Sequence, residues 1–177
     1  MHQGLRRAAV AIPIALALGA GSAAPVMAAP AAQTFAAPLS NLLLPPGTSG
    51  PLDGASARLI LTSHDGSTTF VLIVTGIDPA AAANTYGAHL HVGPCIAGSG
   101  AAAGPHYNST GQPPTVVSDQ TEVWLDFTVN AGGVGVATTT VPFVPLAGDR
   151  SVVIHQEPTS PTGGAGGRQA CLPVTIA

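Results

Sequence analysis

The sequence predicts an all-β fold, a β-sandwich or flattened barrel of about eight strands with two long functional loops. Three observations predict it. Short runs rich in Val, Ile, Leu, Thr and Phe recur along the chain, bounded by Gly, Pro and Asn turns. No segment carries a helical period. The 22 Gly and 17 Pro are scattered through all 177 residues, which disfavours long helices. Charge is sparse: 7% of residues are charged, against roughly 25% in an ordinary soluble domain. The five basic residues are all Arg (Arg6, Arg7, Arg58, Arg150, Arg168). Such a chain lacks the basic stripe of a nucleic-acid binder and the Glu and Lys of a coiled coil.

Residues 1–28 read as a secretory signal peptide. Arg6 and Arg7 precede the apolar run 8–20, which falls short of the about 20 residues a membrane span needs. Val26-Met27-Ala28 offers a small-x-small cleavage site. The expected destination is the periplasm, the cell envelope or the extracellular space. Without the signal, three basic residues face eight acidic ones, a formal charge of −5. Residues 29–53, rich in Ala, Pro, Gly and Ser, read as a linker or loose N-terminal arm, with 41–44 as a short edge strand. Residues 54–177 read as the β domain.

Within it, runs 58–62 and 69–74 flank Asp65-Gly66, a strong hairpin signal. Further strands are expected at 88–92, 122–129, 134–141, 151–155 and 169–176, with a turn at Asn130 to Gly133. Two stretches lack strand character, 93–120 and 156–167. Loops of that length in a small domain are usually functional, and each begins beside a histidine.

His89 and His91 are two apart in an expected strand and so project to one face. His106 follows Gly104-Pro105, which fixes the backbone before the imidazole, and His155 ends the run 151–155. Imidazole is the commonest protein ligand for Cu and Zn. His64, beside the Asp65-Gly66 turn, reads as an exposed turn residue. Cys95 and Cys171 are the only cysteines. In an exported chain a disulfide is the simplest reading, with two buried free thiols as the alternative.

Four motifs in this order resemble the copper/zinc superoxide dismutase family. They are Tyr86-Gly87-Ala88-His89-Leu90-His91, Ala103-Gly104-Pro105-His106-Tyr107-Asn108, Val152-Val153-Ile154-His155 and Gly166-Gly167-Arg168-Gln169-Ala170-Cys171. The resemblance covers roughly residues 55–177. It implies an immunoglobulin-like Greek-key β-sandwich. It also implies that His89, His91, His106 and His155 are copper ligands, with His106 and Arg168 the catalytic pair. Arg168 would guide the anionic substrate, and Cys95–Cys171 would be the intrasubunit disulfide. Cys95 sits closer to the histidine pair than in the commonest members, so a local rearrangement is expected there rather than loss of the bridge.

The chain also departs from the family. Two-metal members use the counterpart of His106 to bridge to zinc, with two further His and an Asp, yet no His lies between Tyr107 and Val153. The 156–167 loop is short, and its only charge is Glu157. These losses resemble the copper-only branch, where a carboxylate partners the would-be bridging histidine. Copper is therefore the expected cofactor, without zinc. Glu122 is the candidate carboxylate, with Asp126 and Asp119 as rivals and a solvated strand-start residue as the alternative reading of Glu122. As partners the resemblance implies superoxide as the small-molecule substrate and leaves a homodimer open, while the sparse basic charge argues for no nucleic acid and the short apolar run for no membrane span. The function implied is an exported copper-dependent superoxide dismutase with an antioxidant role. The alternatives are a non-enzymatic copper-binding or copper-delivery domain, and a sandwich retained as a structural module.

Overall fold

The computed structural model describes residues 31–43, 45 and 47–177; the signal-peptide reading lies outside them. Among the described residues ten strand segments are formed: β1 (Ala31–Pro38), β2 (Ser40–Asn41), β3 (Ser56–His64), β4 (Ser67–Thr75), β5 (Thr85–Tyr86), β6 (Ala88–His91), β7 (Phe127–Thr128), β8 (Gly135–Val141), β9 (Gly148–His155) and β10 (Arg168–Ile176). They make two four-stranded sheets, β1-β3-β4-β8 and β2-β10-β9-β6, with β5-β7 as a two-stranded pair. Every pairing is antiparallel. The expected all-β sandwich is the fold. Among the described residues, helix is confined to two short 3-10 turns, Pro79–Ala81 and Gly100–Ala103, and no helix is long and apolar enough to cross a membrane.

The β3–β4 hairpin closes at Asp65-Gly66, between the pairs Ser63↔Thr68 and His64↔Ser67. Both turn residues have positive φ, 50° and 78°, as a two-residue turn matched to strand twist requires. Beyond the turn, period-two alternation sets the core. Phe70, Leu72 and Val74 of β4 and Leu59 and Leu61 of β3 are buried. They pack with Leu90, Val152, Ile154, Leu172 and Val174 of the other sheet. Each large apolar side chain so removed from water stabilises by about 1.5–3 kcal/mol.

Three sequence expectations are corrected. Residues 31–38, taken as linker or loose arm, form β1 and pair with β3 along their whole length. Exposure alternates along it, and Phe35 and Ala37 pack against the core. Alanine and proline in the composition mask that period. Within the same stretch, the short strand expected at 41–44 falls instead at Ser40–Asn41. The run 122–129, expected as one strand, pairs as a ladder only at Phe127–Thr128, with single bridges at Glu122 and Trp124. Its partner changes along its length: Glu122 faces Asn108, Trp124 faces His89, and Phe127 faces Tyr86.

Along β6 and the adjoining half of β9 the second sheet is buried on both faces, and this positions the site. Ala88 and Leu90 of β6 enter the main core, so His89 and His91 point the opposite way. On that outer side Val153 and Cys171 pack with Leu42 and Ala103 in a smaller cluster beneath the 93–120 loop.

Candidate metal centre

His89 and His91 stand side by side on β6 and are fully buried. His155 ends β9, where its amide donates to Gly87 O at 2.7 Å. His106 lies in the 93–120 loop. That loop is pinned on both sides of it by Val92 N donating to Pro105 O (3.1 Å) and Tyr107 N donating to Leu90 O (2.7 Å). Gly104 turns the loop at φ +67°, a conformation that favours glycine. The result is convergence: one ligand nitrogen from each of the four histidines lies within 4.8 Å of all the others. The His89 and His106 rings stack with centroids 3.9 Å apart.

The hydrogen bonds decide which nitrogens are free. His91 Nδ1 sits 3.0 Å from Gly104 O, and His155 Nδ1 sits 3.2 Å from Gly166 O. A carbonyl only accepts, so each Nδ1 carries the proton and each Nε2 presents a bare lone pair. These two Nε2 atoms are 3.2 Å apart. Two lone pairs cannot hydrogen-bond each other, so the contact is repulsive until a cation lies between them. His89 Nε2 is held by Thr159 Oγ1 at 2.7 Å, while its Nδ1 is buried without a partner among the described residues. A buried nitrogen left unpaired is costly, and a metal ion relieves it. The four imidazoles therefore fit a copper ion, which tops the divalent affinity order and accepts nitrogen ligands.

Electrostatics keep the lone pairs available. Burial, then the charges of His106, His155 and His91, bring the His89 pKa from 6.5 down to about 2. Burial takes His91 to about 2 as well, outweighing the Gly104 hydrogen bond that raises it. Burial takes His155 to about 4, against the raising effect of its bond to Gly166.

His106 Nδ1 faces Glu122 Oε2 at 2.9 Å. The same oxygen accepts Trp124 Nε1–H at 2.9 Å, and Oε1 accepts from Asn108 Nδ2 at 3.3 Å. Burial raises the Glu122 pKa, but these three donors outweigh it and hold the carboxyl below its ordinary value. Of the rivals, Asp126 lies against Thr159 and not His106, and Asp119 is exposed. Trp124 and Asn108 escaped the sequence reading. Trp124 shares a face with Glu122, two residues away, so strand periodicity could have found it.

Arg168 donates to Gly100 O through Nη1 and to Gly104 O through Nη2, the latter at 2.6 Å. A β-bulge puts it on the histidine face. Arg168 pairs with His155 while Ala170 pairs with Ile154, so Gln169 is the extra residue. Were Gln169 a regular member of the ladder, Arg168 would share the core face of Ala170, two residues on. His106, His155 and Arg168 line an open cavity of about 450 Å³ that Glu122 also borders. A larger apolar cavity of about 730 Å³ lies on the other side of Arg168, lined by Leu42, Leu43 and Gly100 among others.

Cys95 and Cys171 are disulfide-bonded, with Cα atoms 5.7 Å apart. The bridge ties the 93–120 loop to β10, so the shift of Cys95 toward the histidine pair is accommodated without loss of the bond.

An antiparallel β-sandwich with four convergent imidazoles on its outer face and a fixed guanidinium at the cavity mouth defines a copper-type metalloprotein. Over residues 56–173, well over half of the chain, the sequence matches the family model of copper/zinc superoxide dismutase (SODC). The chain belongs to that family, and the four histidines are its copper-binding group. Among curated proteins, none matches the chain significantly.

Proposed function

We propose that this chain is an exported, copper-dependent superoxide dismutase that works without zinc. The observation that carries the reading is the convergence of four imidazoles, each with one nitrogen tied and the other turned inward, two of which, His106 and His155, line an open cavity with Arg168. His89 through Nδ1 and His91, His106 and His155 through Nε2 would hold the ion. Copper bound there would supply two accessible oxidation states, the chemistry by which two superoxide anions and two protons would become one dioxygen and one hydrogen peroxide.

The protein's own residues do the rest. Arg168 gives a positive charge of fixed orientation at the cavity mouth, where it attracts the anion against the net negative charge of the chain. Whenever its Nε2 is not engaged by the ion, His106 would take a proton there and deliver it to the product. Glu122 orients that ring, because its carboxylate accepts from Nδ1 on the far side. In this role Glu122 stands where two-metal members use zinc. The disulfide agrees with an oxidising compartment outside the cytosol.

The test is metal content and pulse-generated superoxide decay on the purified, copper-loaded protein. One copper per chain with catalytic decay supports the enzyme. One copper with no catalytic decay replaces it with a copper-binding or delivery domain.

A further inference from the structure

We propose that the apolar cavity beside Arg168 binds a free aliphatic monocarboxylate, its chain between Leu42, Leu43, Ala101 and Pro105 and its carboxylate on the Arg168 guanidinium. Binding there depends on this geometry alone. Its consequence for superoxide access rests on the proposed dismutase function.

The cavity is chemically one-sided. Its volume of about 730 Å³ falls within the roughly 300–1,000 Å³ of small-molecule sites. Leucine, alanine, proline and glycine make its walls, and Arg168 is the one charged side chain lining it among the described residues. Of the guanidinium N–H donors, Gly100 O and Gly104 O take two. The others have no partner among the described residues, whose ion pairs are His64–Asp65 and His106–Glu122. A half-buried cation with spare donors at the edge of an apolar space is complementary to an anion with an apolar tail. A carboxylate suits it best, because its two oxygens match the planar fork of the guanidinium.

The walls are fixed before any ligand enters. Leu42 N donates to Gln169 O and Gly98 N to Asn41 O, both at 2.9 Å, which holds the 41–43 segment between β10 and the 93–120 loop. The Cys95–Cys171 bridge joins the same two elements and packs with Leu42. Gly100 keeps the space open: a Cβ there would lie 3.3 Å from Arg168 Cδ and 3.9 Å from Leu42 Cβ. A preformed site has little left to order, so apolar burial is retained as affinity. Pro105 and Arg168 also border the cavity of His106 and His155. A carboxylate on Arg168 therefore occupies the donors that superoxide would meet, and the apolar cavity becomes an inhibitory annex to the metal centre.

The experiment is calorimetric titration of the purified protein, copper-free and copper-loaded, with acetate, hexanoate, octanoate and 1-octanol. Affinity should rise about two- to fourfold per methylene from hexanoate to octanoate, and be alike in both metal states. Octanoate should bind about tenfold tighter than 1-octanol, and Arg168→Gln should remove that difference. Leu43→Ala, outside both core clusters, should weaken octanoate about three- to tenfold and leave acetate unchanged. In the copper-loaded protein octanoate should slow superoxide decay at concentrations where acetate does not. Octanoate that binds no tighter than acetate, or equally well to Arg168→Gln, overturns the site. So does a wild-type dimer that Leu43→Ala dissociates, since a second copy is then the occupant. Octanoate that binds without slowing decay overturns the inhibitory role. A protein that takes up no copper overturns the metal-centre reading, while octanoate binding to the copper-free protein still judges the site.

Discussion

Arg168 and His91 share one acceptor: the Gly104 carbonyl takes Nη2 of Arg168 at 2.6 Å and Nδ1 of His91 at 3.0 Å. With Nη1 on Gly100 O as well, the guanidinium is braced by the loop that presents His106. Its charge is thus fixed relative to the ligands without touching a ligand nitrogen.

Removing that charge should separate rate from binding. Arg168→Ala is expected to leave copper bound by His89, His91, His106 and His155. Superoxide removal should fall several-fold to about tenfold, with a flatter dependence on ionic strength, because salt screens steering over about 10 Å. Superoxide decay across a salt series is the measurement, and an unchanged salt slope would remove the steering role.

Glu122→Ala strips one acceptor from three donors. His106 Nδ1 and Trp124 Nε1 would lose their partner in a part-buried setting, while Asn108 Nδ2 keeps Val116 O at 2.7 Å. Each donor left unsatisfied costs about 1–3 kcal/mol. Chemical denaturation of the metal-free variant should show a loss of about 2–6 kcal/mol for the two donors, and copper affinity should drop about 10–100-fold. A variant with wild-type stability and affinity would return Glu122 to a merely solvated role.

Metal stoichiometry follows from the ligand set. Loaded with both ions, the protein should hold one copper per chain and no zinc in a second site. Elemental analysis checks this, and a 1:1 copper-to-zinc ratio with zinc away from the four histidines would contradict it.

The metal-free protein should lose stability on mild acidification. His89, His91 and His155 have folded pKa values of about 2, 2 and 4, below the ordinary 6.5. The unfolded chain therefore takes up protons first as pH falls. Stability is complete above about 6.5 and declines as pH drops toward 4 and below, by about 1.4 kcal/mol per pH unit for each histidine in its window. Urea midpoints between pH 7.5 and 5 would reveal the slope. A flat profile would mean these rings are not buried neutral.

Breaking the Cys95–Cys171 bridge should cost about 2–5 kcal/mol. It should also weaken copper binding, because the 93–120 loop carries His106. A Cys95→Ser, Cys171→Ser double variant with unchanged melting and affinity would show that the small cluster of Leu42, Ala103 and Val153 holds the loop unaided.

Much of the centre was legible because its chemistry is carried by side chains of distinctive type. A His-x-His pair in a β-rich run points to one face, and Gly-Pro before His106 and the terminal Gly-Arg motif carry the family pattern. What escaped was geometry set by the backbone. The extra residue Gln169 that turns Arg168 outward leaves no mark in composition. β1 hides its alternation in alanine and proline, and is written in exposure rather than hydropathy. Thr159 is one threonine among many, and only the register between its loop and the 122–129 run brings it to His89.

The four ligands come from β6, the 93–120 loop and β9, and they meet only when the sheet has formed and the loop has docked. An ion that needs all four binds the folded chain alone, so its free concentration enters the folding equilibrium by mass action. At a hundred times its dissociation constant it adds about 2.7 kcal/mol. The melting temperature of this protein thus serves as a gauge of the free copper around it.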